Sequence, residues 1–137
     1  MVCDARRASA EHVAEVAAVP QAGVVGELVY GSGTSYELDD RTLAHIKVAV
    51  GAKLRRQESF YLSWVEPEGS ETGRVSLWVA PSIPLQIHFL GNTAATINPT
   101  WIRALELSSV GDRGMVVMPE VDAEAYVHTR TVGTVSS

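Results

Sequence analysis

The sequence predicts an α+β domain with a mostly antiparallel sheet and two helices, in the order ββαβββαβ. Three observations carry this. Leu43, Ile46, Val50 and Leu54 recur at spacings of 3, 4 and 4, a buried helical stripe. Three segments alternate with period two: Phe60 to Val65, Val75 to Ala80 and Leu85 to Leu90. Asn98-Pro99 then opens a second helix, with Asn at the N-cap and Pro at the first helical position.

In chain order, Glu27 to Tyr30 alternates and is β-prone, Gly31-Ser32-Gly33 turns the chain, and Ser35 to Leu38 is its partner strand. Asp39 and Asp40 suit a helix N-terminus, where a carboxylate accepts free backbone N–H groups and meets the positive dipole end. The helix is expected over Arg41 to Arg56, with Lys53, Arg55 and Arg56 in its last turn. Gly51 inside it costs about 1 kcal/mol relative to Ala, so close packing is expected there. Phe60/Leu62/Trp64, Val75/Leu77/Val79 and Leu85/Ile87/Phe89 form the expected inner face of three strands. A polar loop from Glu66 to Gly73 joins the first two strands, and the stiff link Pro81-Ser82-Ile83-Pro84 implies a bend before the third. The second helix turns Trp101, Ile102, Leu105 and Ser109 inward and stops near Gly111. Gly114 to Met118 is a last short strand before Pro119.

The domain is expected over residues 24–120. Residues 1–23 form an N-terminal extension, either disordered or helical over Ala8 to Val19, and residues 121–137 a C-terminal tail. The length, 137 residues with 46% hydrophobic and 20% charged, suits one soluble domain. No apolar run approaches the roughly 18 residues of a membrane helix, and Glu11, His12 and Glu15 interrupt any secretion-signal core. A cytoplasmic location is therefore expected, with no membrane partner. One cysteine, Cys3, excludes an internal disulfide and a cysteine-cluster zinc site. The net charge of −5 gives no long-range attraction to phosphate.

Several motifs can be weighed for chemistry. Gly31-Ser32-Gly33-Thr34-Ser35 can cradle a phosphate, but no Lys follows and no helix opens directly after it, so a hairpin turn explains it. His12, His45, His88 and His128 are too scattered for a metal pair, and no metal or cofactor is implied. Asp39-Asp40 is explained by capping. The basic cluster Lys53, Arg55 and Arg56 can grip phosphate or an acidic partner, or simply complement the helix dipole. The outer face of the three strands is the more distinctive feature. It shows Tyr61, Ser63, Ser76, Trp78, Gln86 and His88, a mix that can pack on a partner or stack bases.

The strings Leu28-Val29-Tyr30-Gly31, Glu37-Leu38-Asp39-Asp40-Arg41-Thr42-Leu43-Ala44-His45 and Lys53-Leu54-Arg55-Arg56-Gln57-Glu58-Ser59-Phe60 carry a resemblance. It continues through Trp64, Ser76-Leu77-Trp78, Pro81-Ser82-Ile83-Pro84-Leu85, Gly91-Asn92, Ile97-Asn98 and Trp101. From about Val24 to Glu120 the chain resembles a family of short actinobacterial proteins of unknown function, whose members often carry an automatic label of ATP-dependent DNA ligase. The label implies a nucleic-acid context. A ligase of that class needs a nucleophilic lysine in a Lys-x-Asp-Gly setting. The two lysines here lie in Lys47-Val48-Ala49-Val50 and Lys53-Leu54-Arg55-Arg56.

With no catalytic constellation in the sequence, the expected function is a non-catalytic module that binds a protein partner or itself. Tyr61, Ser63, Trp78, Gln86 and His88 are the expected contact residues. The alternative is an accessory nucleic-acid binder using Lys53, Arg55 and Arg56 together with the aromatic face.

Overall fold

Alternation and helical periodicity are realised as six strands and three helices in a computed structural model that describes residues 24–66 and 73–136. The order is β1 (Val25–Tyr30), β2 (Thr34–Asp39), α1 (Asp40–Arg55), β3 (Phe60–Val65), β4 (Arg74–Val79), β5 (Leu85–His88), α2 (Pro99–Ser108), β6 (Met115–Val116) and α3 (Glu120–Ser136). The expected N-terminal extension and most of the loop joining β3 to β4 lie outside the described residues.

The strands form two three-stranded sheets, ordered β2-β1-β5 and β4-β3-β6. Pairing is antiparallel except between β3 and β6. The single sheet implied by the sequence is therefore corrected to two. The pivot is the Pro81–Pro84 link. Ile83 N–H turns back to the Ala80 carbonyl at 3.0 Å, and Gly31 N–H donates to the Pro84 carbonyl at 2.9 Å. These bonds deliver β5 to β1, so that Tyr30 faces Leu85 across the pair. A two-residue hairpin back onto β4 would need a turn that two prolines cannot form.

One contiguous core lies between the sheets and helices, with Leu28, Leu38, Leu43, Ile46, Leu62 and Leu105 fully buried. Each such leucine or isoleucine contributes about 2 kcal/mol of transfer free energy. The sheets meet where Tyr36 of β2 sets its ring edge-on to Trp64 of β3, at 5.5 Å between centroids. Tyr30 Oη also donates to the Trp78 carbonyl at 2.6 Å. In the hairpin β3–β4, Phe60, Leu62 and Trp64 oppose Val79, Leu77 and Val75 on the inner face. Leu85 and Ile87 are half-buried against the same core. Phe89, expected beside them, is exposed instead because β5 ends at His88.

Helix α1 starts as its cap residues dictate: the Asp39 carboxylate accepts the Thr42 N–H at 3.2 Å. Gly51 faces open space, with no atom within 4 Å of where a Cβ would sit, so the expected close packing is absent. In α2 the buried side chains are Trp101, Ala104, Leu105 and Ser108. Ser108 replaces Ser109 as the inward residue, and its hydroxyl accepts the Val116 N–H at 2.9 Å, tying α2 to β6.

The third helix corrects the expectation of two. Its residues include Thr, Val and Gly, poor helix formers, and only a sparse apolar stripe. Glu120 and Asp122 in its first turn favour the N-terminal dipole end. Ala123 is buried and Tyr126 and Val127 are half-buried against the core, which supplies the stability that local propensity lacks.

Candidate functional site

The outer face of β3–β4 follows from period two. With Phe60, Leu62 and Trp64 inward, Tyr61 and Ser63 must point out, and Trp78 and Ser76 stand opposite them across the pair. The Tyr61 and Trp78 rings meet edge to face at 5.1 Å between centroids. They remain 48% and 45% exposed, which leaves a solvent-facing aromatic surface. Beside them Ser63 Oγ and Ser76 Oγ share a hydrogen bond of 2.8 Å.

Gln86 and His88 belong to β5, and hence to the other sheet. They pair with one another, His88 Nε2 to Gln86 Oε1 at 2.9 Å, and both are exposed. The five residues expected on one face are thus divided. Tyr61, Ser63 and Trp78 share a surface, while Gln86 and His88 share a different strand.

The basic cluster is largely engaged within the chain. Lys53 Nζ lies 2.9 Å from Glu58 and 3.1 Å from Ser109 Oγ, and it sits over the Phe60 ring at 5.3 Å. Arg56 Nε binds the other Glu58 oxygen at 3.0 Å. The hydrogen bonds from Lys53 and then Arg56 hold the exposed Glu58 carboxyl below the usual carboxylate range. Arg55 is exposed.

A polar brace that no sequence motif announces joins α1, α2 and α3. Glu120 accepts Arg41 Nε at 2.8 Å and Arg41 Nη2 at 2.6 Å. It also accepts Asn98 Nδ2 at 2.9 Å. These bonds, Arg41 first, pull the Glu120 carboxyl down to about 2. Arg41 Nη1 donates to the Thr96 carbonyl at 2.7 Å, and the same ion pair raises the Arg41 guanidinium above its ordinary value.

His45 sits behind this pair, fully buried, with its ring tilted on Trp101 at 4.3 Å between centroids. Its Nε2 accepts the Asn98 N–H and its Nδ1 lies 2.8 Å from the Arg41 carbonyl. A backbone N–H only donates and a carbonyl only accepts, so the ring is neutral with its proton on Nδ1. Burial lowers its pKa from the ordinary 6.5. Both ring nitrogens and the Glu120 carboxylate are therefore committed to holding structure.

The available signals for this brace were weak. Asn98 and Glu120 each stand at a helix start, which explains them locally. His45 is the polar residue between the stripe positions Leu43 and Ile46.

Asp40 has a comparable role. Its carboxylate accepts Leu90 N–H at 3.1 Å and Gly91 N–H at 2.8 Å, pinning the segment after β5 against α1. A cleft of about 450 Å³ lies between that segment and α1. Among the described residues, no group of three or more His, Cys, Asp or Glu side chains can hold a metal ion. No described helix is long and apolar enough to cross a membrane.

Residues 25–120 match the family model of a domain of unknown function, DUF7882. The chain belongs to the DUF7882 family. The match runs from the first residue of β1 to Glu120, and so takes in Arg41, His45, Asn98 and Glu120 of the brace. Helix α3 beyond its first residue lies outside the match. No curated protein matches the DUF7882 chain, and no solved structure matches it.

Proposed function

We propose that this DUF7882 protein is a non-catalytic interaction module that binds a protein partner, in the simplest case a second copy, through the outer face of β3–β4. One observation carries the reading: two large aromatic rings, packed edge to face, are left half-exposed on a strand pair whose other face forms the core. Aromatic residues set in a flat surface are the usual anchors of protein interfaces. The Ser63–Ser76 hydroxyl pair beside them adds hydrogen-bonding groups at little desolvation cost. We take the protein to work in the cytoplasm and its family to be the actinobacterial one it resembles.

The nucleic-acid reading is the weaker one. Two of its three cations, Lys53 and Arg56, already share Glu58. A phosphate would have to displace that carboxylate. The ligase label supplies only context for this reading.

Sedimentation velocity and affinity capture with the full chain and its Trp78→Ala variant test the proposal. Self-association or capture of a protein that survives nuclease and high salt, and is lost in Trp78→Ala, is the expected result. Complexes that vanish with nuclease and fall steeply with salt would replace it by the nucleic-acid reading. Identical behaviour of the two chains would overturn it.

A further inference from the structure

The cleft beside α1 shares no residue with the Tyr61–Trp78 surface. Ala44 and Val48 line it from α1, and Phe89 and Ile97 from the segment after β5. Val48, Phe89 and Ile97 are 39%, 40% and 38% exposed. Three large apolar side chains opening into one cleft form a concentrated patch, unlike scattered surface residues.

The size of the cleft suits a small molecule. At about 450 Å³ it lies within the roughly 300–1,000 Å³ of ligand sites. A single turn of a partner helix, about 10 Å wide and 5.4 Å long, would already fill it. Recognition of a docked helix uses anchors spread over about two turns, so a helix is too large an occupant.

Charge selects among small molecules. Asp40 and Lys47 both line the cleft, about 10 Å apart along one side of α1. Asp40 is already occupied: its two carboxylate oxygens accept the Leu90 and Gly91 N–H groups at 3.1 and 2.8 Å. Lys47 is exposed and has no hydrogen-bond or ion-pair partner among the described residues. The same holds for the side chains of Asn92 and Thr93, which also line the cleft. An ammonium only donates, and a carboxamide and a hydroxyl can donate with it. The open polar groups thus suit an oxyanion, and the apolar walls suit a hydrocarbon body. One ammonium balances one negative charge, which matches a carboxylate better than a phosphate ester carrying about two.

We propose that the cleft between α1 and the 89–97 segment binds a small amphipathic carboxylate of the medium-chain fatty-acid class, free in solution. Its carboxylate pairs with Lys47. Its chain lies over Ala44, between Val48 and the Phe89 and Ile97 side chains.

Octanoate and 1-octanol, which share a chain and differ in charge, are the probes. Each is titrated into the full chain and its Lys47→Met variant, with amide shifts and calorimetry as readouts. The expected result is saturable octanoate binding that shifts the amides of Ala44, Lys47, Val48 and Ile97 and weakens with salt. Lys47→Met keeps an apolar stem, so it should lower octanoate affinity severalfold and leave that for 1-octanol unchanged. The absence of saturable octanoate binding would overturn the proposal. So would an octanoate affinity untouched by Lys47→Met, an equal loss for both probes, or shifts centred on Tyr61 and Trp78. Binding to phosphatidylglycerol vesicles without binding of free octanoate would assign the cleft to a membrane surface instead. The Trp78→Ala variant plays no part in these titrations, so this inference and the proposed function fail separately.

Discussion

The imidazole of His45 on α1 accepts the backbone N–H of Asn98, 53 residues away, at 2.8 Å. Asn98 is also the N-cap of α2, its side-chain oxygen accepting the Thr100 N–H at 3.0 Å and its amide nitrogen donating to Glu120. One residue thus donates its backbone N–H to the helix before it, starts its own helix, and donates its side-chain amide to the first residue of the helix after it. The brace satisfies its buried polar atoms, and no buried side-chain nitrogen or oxygen among the described residues lacks a partner.

The brace predicts a two-stage acid response. Burial lowers the His45 pKa from 6.5, so below pH 6.5 the unfolded chain binds a proton that the folded chain resists. Its stability is full above that pH and declines as pH falls. Protonation would also set the imidazolium Nε2–H against the Asn98 N–H and bring its charge toward Arg41, although Glu120 and Asp39 would favour it. The Glu120 carboxyl moves from 4.5 to about 2, so its contribution is complete above pH 4.5 and is lost as pH falls toward about 2. Thermal melts should show a constant Tm above neutrality, one decline below pH 6.5 and a second below pH 4.5. A Tm unchanged between pH 7 and about 5 would rule out the His45 stage.

Glu120→Ala should cost about 1–2 kcal/mol, because Arg41 and Asn98 both lose their acceptor. The ion pair is partly exposed, 39% and 32% at its side chains, so its share is smaller. A double-mutant cycle with Arg41→Ala should give a coupling of about 1 kcal/mol or less. Hydrogen exchange should quicken in the first turn of α3. Unchanged exchange there would show that α3 docks without the brace.

Gly51→Ala should stabilise the protein by about 0.5–1 kcal/mol, since a Cβ meets nothing and the helix gains propensity. A urea midpoint that moves downward would contradict the open site.

Gly114→Ala should do the reverse. Gly114 has φ +80°, and a Cβ there would collide with the Tyr61 backbone. A loss of about 2 kcal/mol or more is expected from strain and the disturbed approach of β6 to β3. Chemical denaturation measures it, and a neutral result would mean that the chain before β6 can shift.

Trp64→Ala and Trp78→Ala separate fold from surface. Trp64 is 2% exposed and should cost about 3–5 kcal/mol. Trp78 is half-exposed, and its removal should cost about 1 kcal/mol, leaving a folded domain in which loss of binding can be read. A Trp78 variant as unstable as the Trp64 variant would make the outer ring part of the core.

Much of the fold was legible in local pattern. The α1 stripe Leu43, Ile46 and Val50 is buried, and the inner residues of β3 and β4 are those that alternation selects. Asn98-Pro99 starts α2 as its capping chemistry requires. Helix α3 was not legible, because its stability comes from docking Ala123, Tyr126 and Val127 rather than from propensity.

The site was less legible than the fold. Alternation identifies Tyr61, Ser63, Ser76 and Trp78 as one outward set, since each strand's inner residues determine its outer ones. It cannot tell which strand lies beside which. Gln86 and His88 alternate correctly on β5 yet belong to the other sheet.

The sequence by itself determined the type of the elements before α3, the starts of α1 and α2, and the inward and outward residues of β3 and β4, because these follow from periods of 2 and 3.6 and from capping groups a few residues apart. The tertiary structure alone decided the partition into two sheets, the Arg41–Glu120 and His45–Asn98 bonds, and the cleft between Val48 and Ile97. Those contacts join residues 49 to 79 positions apart, and no local periodicity records which distant groups will meet when the core closes.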